Sequence, residues 1–500
     1  MNFIQEILIK YFSNSILILY FFCLILIFLF SISQAYLTYH YIKAKKQNNK
    51  KLFSSNKKLP KITIQLPIYN EKYVIERLFK YISELKYPKK LLQIQVLDDS
   101  DDESTQLIMN LIKHYKTKGI KFDHITRANR KGFKAGALKN GLKSSSGEFI
   151  AIFDADFIPD SNWLSKIIPH FDNKKIGLIQ TRWGHINKNY SVLTKVQAFA
   201  LDIHFTLEQL GRNFKNHFMN FNGTAGIWRK KCIIDSGNWE GDTLTEDLDL
   251  SFRAQLKGWK FKYLENIITP AELPITINAV KSQQHRWNKG GAENFQKNFW
   301  KLIKSKSINL KTKIIAFIHL LSSSMFLNVF TVSILSVPLL FLNKKNLKIN
   351  WFLNFSSIFI LSTIILFICY WIIHKKTYGK EFKSFLSFSK NFILFLTVIS
   401  GFACHNSIAV IKGHLREKSA FIRTPKFNVE SSYNNLKKNI YSKKIIPFNF
   451  LFDLFFTFYF FLSLCIAFYI NDGFFKLFPF HLILFVGYLY MVINTLKSDN

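Results

Sequence analysis

Residues 15–39 (SILILYFFCLILIFLFSISQAYLTY) carry no charge, over more than the roughly 20 residues an α-helix needs to cross a bilayer. The run is too long and uninterrupted for a signal-peptide core, and no small-residue cleavage site follows it, so it is expected to persist as an anchor. Four more apolar runs occupy residues 314–342, 351–373, 445–470 and 474–493. A polar block lies between the first run and the rest. Such a chain is an integral membrane protein with a folded polar insertion.

The formal net charge is +36. A basic surface attracts phosphates, yet the lysines are scattered and no groove-reading module accompanies them, so nucleic acid is not an expected partner. Many cations flank apolar runs instead. Lys43, Lys45, Lys46, Lys50 and Lys51 follow the first, which by the positive-inside rule puts the N-terminus outside and the polar block in the cytoplasm. Anionic membrane lipids are the expected partners of this charge. Of the five cysteines, Cys23, Cys369, Cys404 and Cys465 sit in apolar segments, and none, Cys232 included, has CxxC spacing. They read as small apolar residues, not as a disulfide framework or a zinc site.

From Lys61 to about Phe261 strand-like and helix-like stretches alternate (ITIQL, EKYVIERLFKYISEL, LQIQVL, ESTQLIMNLIKHY, FIAIF). That alternation predicts a mostly parallel, doubly wound α/β sheet. The division expected is residues 1–59 for the anchor and a basic linker, 60–310 for the polar α/β unit with a terminal interfacial helix, and 311–500 for a C-terminal membrane region of about four spans. Residues 391–412 are apolar enough to cross, but the loop after them, 413–444, is strongly basic. Keeping that loop in the cytoplasm from an N-out start requires an interfacial or re-entrant segment there, hence five crossings and not six.

Acidic motifs punctuate the polar block. Asp98-Asp99-Ser100 follows IQVL, and Asp154-Ala155-Asp156 follows FIAIF. Carboxylates at the carboxyl ends of neighbouring parallel strands converge on the crevice where α/β sheets bind nucleotides. Asp98 and Asp99 can accept hydrogen bonds from a base or a ribose, or simply cap the helix that follows. Asp154 and Asp156 can share a hard cation, Mg²⁺ or Mn²⁺, that also bridges a diphosphate. Pro67 cannot continue a central strand ladder, so a turn presenting Tyr69 and Asn70 at the sheet edge is expected, with Glu71 next. Lys134, at a helix start after a basic loop (127–131), suits an anionic phosphate. Thr245-Glu246-Asp247 opens an amphipathic helix; its side chains can cap that helix, serve as a base, or do both. In Gln283-Gln284-His285-Arg286-Trp287, Gln283 can bond a hydroxyl, Arg286 can pair with a diphosphate, and Trp287 offers a face for a sugar ring. Read blandly, it is an interfacial Trp-Arg pair.

Taken in order, these motifs resemble those of membrane-embedded, inverting family 2 glycosyltransferases, the group of the cellulose synthases and cellulose-synthase-like mannan synthases. The resemblance covers about Pro60 to Phe427. It implies a GT-A-type nucleotide-sugar-binding domain inserted between transmembrane helices. It also implies that Pro67, Tyr69, Asn70, Glu71, Asp98, Asp99, Lys134, Asp154 and Arg286 serve the donor, and that Asp154 and Asp156 hold the metal. Asp247 would be the base, with Gly223, Thr224, Glu246, Gln283 and Trp287 beside the acceptor. Phe421, Thr424 and Lys426 match a gating loop of F-x-V-T-x-K type, in which Arg423 stands where that pattern has valine. FNGTAGIWR and GWKFKYL look closer to the mannan-synthase-like branch. The expected reaction moves a hexose from GDP-mannose or UDP-glucose onto a growing β-linked polysaccharide, with accessory export subunits as further candidates for partners. Two other readings are a glycolipid-forming enzyme of the same fold and a channel with an inactive nucleotide domain. Intramembrane charges would be expected of the channel, and among the strong runs only Asp453, near an end, supplies one.

Overall fold

The computed structural model describes residues 3–47, 58–342, 357–419, 421–429, 449–470 and 477–497. Parts of the linker, of the run at 351–373, of the basic loop and of the starts of the last two runs lie outside the described residues.

Seven strands form one sheet in the order β3-β2-β1-β4-β6-β5-β7. They are β1 (Ile62–Ile68), β2 (Leu92–Asp98), β3 (Phe122–Thr126), β4 (Phe149–Ile152), β5 (Ile176–His185), β6 (Gly226–Arg229) and β7 (Lys260–Ala271). Pairing is parallel except at β6, which runs against both β4 and β5. The expected turn at Pro67 comes later than the sequence implies, because Pro67 lies inside β1, opposite Leu97. Pairing with β4 ends at Gln65, so the missing N–H of Pro67 faces a side with no ladder left to complete.

The inner strands are apolar runs because both faces are covered. On one face Ile62, Ile64, Leu66 and Ile68 pack with α2 (Ile75–Ser83) and α3 (Ser104–Thr117). On the other, Ile150, Ile152 and Leu97 meet α4 (Phe133–Ser144) and α9 (Glu246–Leu256). Between α4 and α9 the chain adds short helices α5 (Trp163–Ile167), α7 (Gln209–Phe214) and α8 (Lys230–Asp235), and the longer α6 (Val192–Ile203), which runs into a π-helical turn at His204–Glu208.

The second core also receives the membrane helices. Helix α1 (Phe3–Gln47) is 45 residues long, more than twice what a crossing needs. Its C-terminal half brings Leu37, Tyr41 and Ala44 into that core, and Gln34 Nε2 donates to Glu208 at 2.9 Å. Next come α10 (Ile277–Lys304), α11 (Leu310–Leu320), α12 (Met325–Leu342), α13 (Ser357–Tyr378), α14 (Phe382–Gly401), α15 (Ala403–His414), α16 (Phe450–Ile470) and α17 (Phe478–Lys497).

Among the described residues six helices are long and apolar enough to cross a membrane: α1, α12, α13, α14, α16 and α17. Two boundaries differ from the sequence reading. The run at 314–342 is interrupted at Ser322–Ser324, where Ser322 Oγ donates to His319 O and Ser324 Oγ bonds His414; serine hydroxyls there compete with the helical ladder. The segment at 391–412 is not one element but the end of α14 and the start of α15, separated at Phe402. Helix α14 lies along α6, with Phe199 against Phe388 and Phe395, and Val398 and Phe402 clustered with Leu193 and Val196.

Lys281 of α10 and Asp453 of α16 form a buried ion pair that ties the catalytic side to a membrane helix. Asp453→Leu alone should cost about 3–5 kcal/mol, because it strands a buried ammonium. Lys281→Met with Asp453→Leu should recover most of that loss, as read by thermal denaturation in detergent.

Candidate active site

One cleft of about 210 Å³ opens at the carboxyl ends of β1, β2 and β4. From β1, Tyr69 and Glu71 reach it; the Arg130 guanidinium lies 3.2 Å from the centre of the Tyr69 ring. From β2, Asp99 lines it and is held by Arg127 Nε at 2.8 Å. From β4, Asp154 and Asp156 do. The first turn of α9 adds Glu246 and Asp247, and α10 adds Gln283, Arg286 and Trp287. Pro67, Lys134 and Gly223 complete the set, with Phe421, Thr424 and Lys426 above.

Lys134 is the crossing point. Its Nζ donates to Asp154 Oδ1 at 2.5 Å and to Gly223 O at 3.0 Å. Burial works against its charge, but Asp154, Glu246 and Asp247 outweigh burial and raise its pKa. Asp247 also lies above its ordinary value: burial, and then the charge of Glu246, push it up to about 7. Glu246 is raised too, again by burial first. Gly223 has φ +82, and a Cβ there would sit 3.2 Å from Asp247 Oδ2 and 3.4 Å from Lys134 Nζ. Only glycine takes that backbone freely beside two charged groups. Gly290 in α10 allows a similar approach, since a Cβ there would strike Thr245. Thr245 does not cap α9 with its side chain; its Oγ1 accepts from Asn294 at 2.9 Å.

The segment 421–427 covers the cleft. Arg286 donates to Ile422 O at 2.5 Å and to Thr424 Oγ1 at 2.9 Å, and lies over the Phe421 ring. Arg423 pairs with Glu71 at 2.7 Å, and Lys426 with Asp156 at 2.6 Å. Burial pushes Glu71 up to about 7, against the pull of Arg423 and Lys426, while burial lowers Arg286 to about 10.

Three residues assigned to the site lie off the cleft. Asp98 is turned into the sheet edge, 3.0 Å from His124 Nε2, with Oδ1 accepting from Ser100 N. Asn70 turns at φ 54 and bonds Asp101. Thr224 is fully buried, and its Oγ1 accepts from Asp154 N at 2.9 Å, so it shapes the Asp154 turn from behind. Conversely, Arg130, Glu272 and Arg423 line the cleft without having been singled out as site residues. The basic loop at 127–131 and the departure from valine at 423 were the available signals. A separate acidic group, Glu240, Asp242 and Asp249, is bridged by Lys297, whose Nζ lies 2.6–3.1 Å from the three carboxylates, and Arg253 also pairs with Asp249 at 2.7 Å.

A mixed, mostly parallel sheet with carboxylates at its carboxyl edge, flanked by membrane helices, defines a GT-A-type nucleotide-sugar-binding fold. Residues 63–233 match the profile Glycosyl transferase family 2, and residues 149–374 match Glycosyl transferase family group 2. Together the two matches assign residues 63–374 to the family 2 glycosyltransferases. It is 42% identical over 272 residues to the probable glucomannan 4-beta-mannosyltransferase 2 of Oryza sativa subsp. japonica, covering 53% of this chain and 46% of that protein. It is 39% identical over 264 residues to the glucomannan 4-beta-mannosyltransferase 9 of Arabidopsis thaliana, covering 52% of this chain and 50% of that one. The chain thus spans about half the length of the curated relatives it matches. The mannosyltransferase PcManGT from Pyrobaculum calidifontis, solved in complex with GDP-Man and Mn²⁺, superposes with a TM-score of 0.49 at 16% identity, over 71% of this chain and 100% of that one. At that level the strand order and the sequence profiles, not the superposition, carry the assignment.

Gly223→Ala should lower turnover by roughly 100-fold, since a displacement of about 1 Å at reacting groups costs that much. Alanine at φ +82 should also lower the denaturation temperature modestly, and a turnover loss measured on the still-folded protein separates crowding of Asp247 and Lys134 from unfolding.

Proposed function

We propose that the chain is an inverting hexosyltransferase that extends a β-linked glycan at the cytoplasmic face of a membrane, with mannose from GDP-mannose as the first donor to test and glucose from UDP-glucose as the second. The observation that carries this reading is the single cleft in which Asp247 faces Asp154 and Asp156 across Lys134. The naming of two relatives as glucomannan mannosyltransferases favours mannose.

Displacement at a sugar carbon needs a base for the acceptor hydroxyl and a counter-charge for the departing diphosphate. Asp247 is the base, and its raised pKa matches that task near neutral pH. Lys134 and Arg286 supply fixed positive charge on the donor side. Gly223 brings its backbone close to the acceptor, while Gln283 and Trp287 offer a hydroxyl contact and a stacking face. Asp154 and Asp156 are hard oxygen donors, and each already attracts a cationic group in this structure, Lys134 and Lys426. That donor set fits Mg²⁺ or Mn²⁺, which would neutralise charge on the leaving diphosphate. Donor entry requires the segment 421–427 to lift, breaking the Lys426–Asp156 and Arg423–Glu71 pairs.

Contacts and charge support one membrane arrangement. We place α1, α12, α13, α16 and α17 across the bilayer and α14 in the interface, because α14 lies along α6 of the catalytic unit. From an N-out start this keeps α10, α15 and the segment 421–427 on one side with the cleft. The proposed catalytic unit is residues 60–310, which contain the whole sheet and α10.

Purified membranes given labelled GDP-mannose or UDP-glucose with Mg²⁺ or Mn²⁺ should yield a long, alcohol-insoluble product, lost in Asp247→Asn. A small, organic-soluble product would move the acceptor to a lipid. No Asp247-dependent incorporation from either donor would overturn the reading. A pH profile gives the sign check. Asp247 acts only when ionised, and its ionised fraction grows as pH rises through about 7. In kcat/KM the rate should therefore fall about tenfold per pH unit below that limb, and a profile flat from acid to neutral pH would remove Asp247 as the base.

A further inference from the structure

A chain of hydrogen bonds runs from the membrane anchor to the back of the catalytic cleft. Gln34 Nε2 of α1 donates to Glu208 Oε1 at 2.9 Å. Glu208 Oε2 lies 2.9 Å from His204 Nδ1 and accepts from Arg212 at 3.0 Å. On its other side, His204 Nε2 lies 3.1 Å from Asn222 Nδ2. Asn222 lines the cleft and precedes Gly223, whose carbonyl accepts from Lys134. His204 and Glu208 are the two ends of the π-helical turn that follows α6, and such turns concentrate at functional sites.

The direction of every bond in this chain follows from one backbone oxygen. Asn220 O can only accept, and it takes Gln209 Nε2 at 2.9 Å. The same amide nitrogen reaches the Asn222 side chain at 2.5 Å, so the atom it meets there is the acceptor, Oδ1. That turns the donor, Nδ2, toward His204 Nε2, which must accept. The imidazole therefore carries its proton on Nδ1 and donates it to the Glu208 carboxylate. Burial opposes the charge of Glu208, but Arg212 and the bond from His204 outweigh it and hold its pKa below the ordinary glutamate value. Gln34 and Arg212 also donate to Glu208, so its charge is balanced without His204. What His204 adds is its hold on Asn222.

We propose that His204 is a positioning residue for sugar transfer: by accepting one N–H of Asn222 it aims the other at the acceptor sugar, beside the Gly223 turn and Asp247. This rests on the reading of the cleft as a hexosyltransferase site. Asn222 Nδ2 commits one hydrogen to His204, and its second meets no acceptor among the described residues, which leaves a donor for an acceptor hydroxyl. An amide already held in one orientation avoids the cost of being ordered when the acceptor binds.

Two substitutions at one position separate this role from a structural one. In His204→Asn the side-chain amide nitrogen overlies Nδ1 and keeps the bond to Glu208, but nothing reaches Asn222. In His204→Gln the amide oxygen overlies Nε2 and still accepts from Asn222, while the Glu208 bond is lost. The full chain in detergent is assayed with GDP-mannose or UDP-glucose, whichever supports Asp247-dependent incorporation, and with β-1,4-mannohexaose or cellohexaose as acceptor. His204→Asn should raise the acceptor KM about tenfold, roughly the worth of one hydrogen bond, and leave the donor KM unchanged. His204→Gln should recover most of that loss. Thermal denaturation should rank the two the other way, with His204→Asn the more stable. Asn222→Ala should match His204→Asn, and the double variant should lose no more than either alone. If activity follows stability across the two His204 variants, or the donor KM moves with the acceptor KM, the proposal falls. Nitrogen-15 NMR should show the His204 ring, identified by its absence from His204→Gln, protonated on Nδ1, and a proton on Nε2 would also overturn the proposal. Absence of Asp247-dependent incorporation by the unsubstituted protein would remove the hexosyltransferase reading, and this role with it, before any His204 variant is compared.

Discussion

The hold of Lys134 on Asp154 and on the Gly223 carbonyl organises the cleft. Seven carboxylates, Glu71, Asp99, Asp154, Asp156, Glu246, Asp247 and Glu272, line it. Enclosing that much negative charge is unfavourable unless cations enter with it. Lys134 answers from α4, Arg286 from α10, and Arg423 and Lys426 from the covering segment. Remove Lys134 from this arrangement and the acidic turn after β4 loses its link to the glycine turn that flanks Asp247.

The same balance joins the catalytic unit to its membrane half. Two of the cations that line the cleft, Arg423 and Lys426, belong to residues 421–427, which follow α15. Lys289 of α10 is fully buried and donates to Glu417 O and Ser419 Oγ, fixing the base of that segment. Charge at the cleft and packing against membrane helices are therefore coupled through α10. That helix presents Gln283, Arg286 and Trp287 on one stretch, pairs with Asp453 through Lys281, and admits Thr245 at Gly290.

Much of this was legible before any coordinates. Apolar runs ending in Asp-Asp and Asp-Ala-Asp identify strand ends, because side chains at the carboxyl edge of a parallel sheet have a crevice to face. The Q-x-x-R-W stretch and the Phe421–Lys426 pattern meet through Arg286, which reaches Thr424 and the Phe421 ring. What escaped was phase and packing. Asp98 and Asp99 are chemically alike and adjacent, yet the strand's alternation sends Asp98 toward His124 and leaves Asp99 for the cleft. Thr224 belongs to a stretch, Phe221–Thr224, that resembles an acceptor motif, yet its side chain is buried and accepts from Asp154 N. The break at Phe402 follows Ser400-Gly401, a signal that the apolar residues on either side hide. Arg423 could be noticed as a departure, but its partner, Glu71, lies far away in sequence.

The claim that matters most is direct displacement with Asp247 as the base, and the stereochemistry of the product tests it most directly. Donor sugars of this class are α-linked to their diphosphate, so a single displacement must leave a β-linkage. Proton NMR of the first glycosidic bond formed from an isotopically labelled donor reads the anomeric configuration. A β-anomer made only when Asp247 is present is the predicted result. An α-anomer would contradict the account, because retention requires a covalent intermediate or front-face delivery for which this cleft has been given no residue.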